Sequence, residues 1–121
     1  TVQGPVDTLT PEMKKRKSIV HNRPLTLVRL TPDELRSVAE TVAAKLNQAQ
    51  GPVQVLLPLQ GFSYPNRAGE ELWDPEGNEV FIKTLKDKIA PTIPVEEVNA
   101  HINDAAFIDR VVASFLKLGS N

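Results

Sequence analysis

Strands alternating with amphipathic helices predict an α/β fold with a parallel sheet, in two or three layers, forming part of a doubly wound, Rossmann-like domain. Three observations carry this. Residues 25–30, 53–58 and 95–98 are rich in β-branched or aliphatic side chains, and each leads toward a helical pattern. Thr31-Pro32-Asp33-Glu34 and Asp74-Pro75-Glu76 both place a capping residue ahead of a proline, as helix starts do. Residues 53–58 are almost wholly apolar, as in a strand covered on both faces.

The elements follow in order. Residues 1–24 read as a lead-in, interrupted by Gly4, Pro5 and Pro11 and carrying the basic run at 13–17, which suits a solvated helix end better than an anion site. Thr10-Pro11 opens one helical turn, Ser18-Ile19-Val20 is a short extended piece, and His21-Asn22-Arg23-Pro24 reads as a turn. A single α/β domain is expected over residues 25–121. After the first strand, Glu34 completes a Thr-x-x-Glu capping box with Thr31, and Leu35, Val38, Ala39, Val42 and Leu46 form one helical stripe that Gly51-Pro52 stops. The second helix presents Phe81, Ile82, Leu85 and Ile89 inward. The last is capped by Asn103, buries Phe107, Ile108, Val111, Val112, Phe115 and Leu116, and ends at Gly119.

Composition narrows the function classes. Fourteen Lys and Arg against fifteen Asp and Glu leave a net charge of −1, too balanced for a nucleic-acid footprint. The absence of Cys rules out disulfides, thiolate metal sites and cysteine nucleophiles, and fits a cytoplasmic protein. No apolar run approaches the ~18 residues of a membrane span. Ser63 with His101 or His21 and Asp74 has the residue types of a hydrolase triad but no Gly-x-Ser-x-Gly elbow. The two histidines sit in unrelated segments, which argues against zinc, and the neighbouring pairs Glu70-Glu71 and Glu96-Glu97 diverge in a helix or strand. With no Walker or Gly-x-Gly-x-x-Gly loop, no cofactor and no metal are expected in this chain.

Open parallel sheets bind ligands beyond the carboxyl ends of their strands, which selects residues 29–31, 58–63 and 100–104. Arg29, Thr31, Gly61, Ser63, His101 and Asn103 are therefore the candidate ligand-binding residues, for a small anion at helix N-termini. Thr31 and Asn103 read equally well as plain caps, and Gly61 as a plain turn. The loop at 59–73 is long enough to be functional and holds Phe62, Tyr64 and Trp73, half of the six aromatics. It reads as a flap packing on the sheet or on a second subunit, with these three as interface residues. Three strands with one-directional crossovers leave a sheet face and two edges uncovered, so a two-fold homodimer or a partner domain is expected.

His21-Asn22, residues 25–31, Leu57-Pro58-Leu59-Gln60-Gly61-Phe62-Ser63, Trp73-Asp74-Pro75-Glu76 and His101-Ile102-Asn103-Asp104 occur in that order. Over about residues 10–118 the chain resembles the C-terminal domain of an uncharacterised protein family related to the plant tobamovirus resistance protein. The resemblance implies a two-domain α/β protein whose first domain binds ATP and whose second is also doubly wound. It implies that the ATP-binding segment lies outside this chain, which looks like the later part of the second domain. Plant members of the family block viral RNA replication by binding replication proteins, and the bacterial members have no settled reaction. The resemblance points to Arg29, Thr31, Gly61, Ser63 and Asn103 as a pocket set. One departure is that neutral Asn66 stands where an acidic residue is expected after the Gly-x-Ser. The leading reading is thus a non-catalytic binding or assembly module of a larger ATP-binding protein, and the alternative is a fragment of an enzyme acting on a small anionic substrate.

Overall fold

A computed structural model describes residues 1–120. The chain runs β1 (Val2–Gln3), β2 (Ser18–Asn22), β3 (Leu25–Val28), α1 (Pro32–Asn47), β4 (Val55–Pro58), α2 (Pro75–Lys88), β5 (Val95–Val98) and α3 (Ala105–Gly119), with single 3₁₀ turns at Val6–Thr8 and Met13–Lys15. The α/β class holds, and β4 and β5 form a parallel pair with Val55 opposite Val95 and Pro58 opposite Val98.

The first predicted strand is not in that sheet. β3 lies between β1 and β2 in a separate antiparallel sheet, with Ile19 and Val2 both facing Leu27. The reason is local. Only Arg23 and Pro24 separate β2 from β3, and so short a connection folds the chain back antiparallel, whereas a parallel pair needs a crossover. The register shifts between Val20 and Asn22, a bulge at His21. Strands from the lead-in therefore cover both edges of β3.

The main core sits under α1 and α2, which lie side by side. Ala39, Ala43, Leu57 and Leu85 are its buried centre, flanked by Val42, Val55, Phe81, Ile82, Ile89 and Val95. Leu57 and Leu85, each almost fully buried, contribute about 1.5–3 kcal/mol apiece. The small Ala39 and Ala43, one turn apart, let α1 approach α2 closely. Val38, expected in the stripe, is exposed, because the buried line runs through Leu35, Ala39 and Ala43.

Two ion pairs show where the helices stand. Glu97 meets Lys86 of α2 at 3.0 Å, while Glu96 meets Arg110 of α3. Adjacent strand residues point to opposite faces, so α2 and α3 lie on opposite sides of the β4–β5 pair. The predicted buried face of α3 needs correction. Phe107 and Ser114 are its buried residues, whereas Ile108, Val111, Val112, Phe115 and Leu116 are 50%, 40%, 51%, 72% and 65% exposed. Arg110 ties the helix to Glu96 of β5, and the covered line through Phe107 and Ser114 is rotated away from its apolar stripe. No described helix is long and apolar enough to cross a membrane.

Candidate functional site

The carboxyl ends of β3 and β4 and the turn after β5 are tied together by polar contacts. Gly61 takes φ +120°, a conformation that L side chains rarely adopt, and an added Cβ there would lie 1.7 Å from the Asn66 carbonyl oxygen. The Gly61 carbonyl accepts from the Ile102 N–H at 3.1 Å, and the Gln60 N–H donates to Ala100 at 3.0 Å, which joins the loop after β4 to the turn after β5. The loop closes on itself through the Asn66 N–H, which donates to the Ser63 carbonyl at 2.9 Å.

His101 locks this closure from the other side. Its ring is buried, with Nε2 2.8 Å from the Ser63 carbonyl, and Nδ1 accepts from the Asn103 N–H at 3.2 Å. That geometry fits the tautomer carrying hydrogen on Nε2, which then donates to Ser63. A second set lies alongside. Asn66 and Asn78, both buried, exchange amide hydrogen bonds at 2.8 and 3.1 Å. The Asn78 Oδ1 also accepts from the Arg29 Nη2 at 2.7 Å, and the Arg29 Nε meets the Asp74 Oδ2 at 3.4 Å. Asp74 caps α2 with its other oxygen, accepting from the Gly77 N–H at 3.1 Å, so the predicted cap stands. Buried amides need partners, and here each amide has one.

The capping box at Thr31 is complete. Its hydroxyl accepts from the Glu34 N–H at 3.3 Å, and Glu34 accepts from the Thr31 N–H at 2.9 Å. That N–H, and next the Arg16 guanidinium at 2.8 Å, hold the Glu34 carboxyl below its usual range. Asn103 is not the cap of α3. That place falls to Asp104, whose extended backbone precedes the helix and whose carboxylate turns back to the His101 N–H at 2.8 Å. That N–H, with Arg67 at 3.1 Å adding to it, holds Asp104 below the usual carboxylate range. Both carboxylates contribute stability that is present above their ordinary range and lost as pH falls through their lowered values.

The predicted ligand residues are partly brought together. Arg29 and Ser63 share a cavity of about 290 Å³ with Val2, Leu30 and Leu72. His101 and Gly61 adjoin Ser63 through the loop closure, while Thr31 is committed to its capping box. The aromatic trio divides. Phe62 packs edge-on against Phe81 with ring centroids 5.3 Å apart, Trp73 is half-buried, and Tyr64 is 67% exposed. The buried Asn66–Asn78 pair was not singled out from the sequence. The polar, cap-side position of Asn78 one turn into α2 was its only signal. Among the described residues no group of three or more His, Asp or Glu side chains stands close enough to hold a metal ion.

Residues 1–119 match the uncharacterised protein family (UPF0261) C-terminal domain. A UPF0261 protein of Brucella suis biovar 1 is 38% identical over 104 residues, covering 86% of this chain and 25% of that protein. The ToMV resistance protein Tm-1(GCR237) of Solanum lycopersicum is 35% identical over 117 residues, covering 95% of this chain and 16% of that protein. A UPF0261 protein of Clostridium tetani is 32% identical over 105 residues, covering 86% and 26%. The chain thus spans about a quarter of the length of these bacterial relatives, and it belongs to the UPF0261 family as part of its C-terminal domain.

Proposed function

We propose that this chain is a binding and assembly module, a non-catalytic part of a longer, doubly wound cytoplasmic protein whose ATP-binding segment lies elsewhere. The observation that carries the reading is the bare stripe on α3. Ile108, Val111, Val112, Phe115 and Leu116 recur at helical spacing and are all exposed, although a helix of this character ordinarily buries that face. A partner domain of the same protein, or a second copy of the chain, gives the stripe cover. The open edges of the two-stranded β4–β5 sheet point the same way, since so small a parallel sheet gains by extension.

The candidate site supports this assignment over the enzymatic one. Arg29, the best candidate for holding an anion, already serves Asp74 and Asn78, and Thr31 serves Glu34. His101 spends both ring nitrogens on backbone groups. Groups so engaged hold loops in place.

Placing a photoreactive benzoylphenylalanine at Phe115 tests the proposal. Cross-links to a second copy or to the rest of the longer protein are expected, above the level given by the same group at exposed Glu40 of α1. Equal labelling at the two positions overturns it.

A further inference from the structure

The two strands of the parallel sheet have unlike sequences. β5 reads Val95-Glu96-Glu97-Val98, with one carboxylate on each face, and each is met by a cation from a helix. β4 reads Val55-Leu56-Leu57-Pro58 and carries no charge. Charges on a short strand are a usual guard for a sheet edge, whereas a continuous apolar run is the pattern of a strand inside a parallel sheet. Among the described residues, however, β5 is the only strand paired with β4.

Hydrogen bonding shows which groups of β4 are left over. The Val55 N–H donates to the Pro94 carbonyl and the Leu59 N–H to the Val98 carbonyl, both at 2.9 Å. Peptide groups of alternate residues point to opposite edges of a strand, so those of Gln54 and Leu56 point away from β5. Among the described residues neither of these N–H groups has a backbone partner. Such an edge is a template for another strand. Helices already stand on both sides of it. Leu57 packs in the core with α1 and α2, while Leu56 shares the other face with its register partner Glu96, which Arg110 of α3 reaches.

We infer that the open edge of β4 receives a parallel strand, apolar on both faces, from the remainder of the longer protein. This rests on the reading of the chain as an assembly module and adds the edge and the kind of segment that docks there. Helices on both faces are the setting of parallel sheets, which fixes the direction of the added strand. The chain spans only 25% and 26% of two bacterial relatives, so most of such a protein is free to supply it. A second copy fits less well. Two-fold pairing of β4 with itself is antiparallel and, centred on Leu56, sets Gln54 against Pro58 twice, where proline has no N–H to give.

Amide hydrogen exchange, measured on the chain alone and on the longer protein, tests the inference. In the chain alone the Leu56 amide should exchange fast, while the Leu57 amide, which faces β5, is protected. In the longer protein the Leu56 amide should slow by about a hundredfold or more. An unchanged Leu56 rate there means that the edge stays open, and slowing that appears when the isolated chain is concentrated means that a second copy fills it. Either result overturns the inference. Cross-linking from Phe115 to the rest of the longer protein without protection of Leu56 overturns this inference alone and leaves the assembly reading standing; failure of both measurements overturns both.

Discussion

Around Gly61, the polar side chains of Arg29, Asn66, Asp74, Asn78 and His101 turn inward and find partners within 3.4 Å. Along α3, five apolar side chains turn outward and stand 40–72% exposed. The usual distribution of polar and apolar groups is inverted in both places, and the two inversions have different meanings. Buried amides and a guanidinium that satisfy one another specify a single loop conformation, because any alternative leaves an unpaired group in a dry setting. Exposed leucine and phenylalanine do little to specify the chain's own conformation, and a contiguous apolar face of this kind is the sort of surface that partners cover. The first region is a self-satisfied frame, and the second is the surface on which the proposed assembly rests.

Gly61 carries the largest expected effect on that contrast. Gly61→Ala puts a Cβ against the Asn66 carbonyl at φ +120°, so the loop must open, and a loss of about 3–5 kcal/mol is expected by urea denaturation. A loss under about 1 kcal/mol would show that the loop repacks at little cost and is no frame. Asn78→Ala comes next. It removes the acceptor of Arg29 and one half of the Asn66 pair, for about 2–3 kcal/mol. A neutral result would show that water replaces Asn78 and that the network is wetter than its burial implies.

The frame was only partly legible in the sequence. Helix starts were readable because a cap, a proline and an acidic residue act within one turn, and Thr31 and Asp74 cap as their neighbours dictate. The parallel pairing of residues 55–58 with 95–98 followed from an apolar run joined to its partner through a helix. β3 was misplaced because alternation identifies a strand without naming its neighbour. The deciding feature was the two-residue link at Arg23-Pro24, read as a turn but not carried through to a hairpin. The Asn66–Asn78 pair joins residues twelve positions apart through a loop whose path no periodicity reveals. The α3 stripe was read correctly as apolar and wrongly as buried, since spacing shows which side chains share a face and not what covers it.

The smallest expected effect on folding is the one that separates frame from surface most sharply. Phe107 and Phe115 lie on the same helix, with Phe107 6% exposed and Phe115 72% exposed. Phe107→Ala should cost about 3–5 kcal/mol, because it empties a buried position. Phe115→Ser and Leu116→Ser together should change the chain's stability by less than about 0.5 kcal/mol, since both side chains are already largely exposed in the folded chain. The same pair should lower the binding of a hydrophobic dye to the native chain. If the two serine substitutions instead destabilise the chain as much as Phe107→Ala does, the stripe packs within this chain. α3 would then belong to the frame, and the assembly reading would lose its main support.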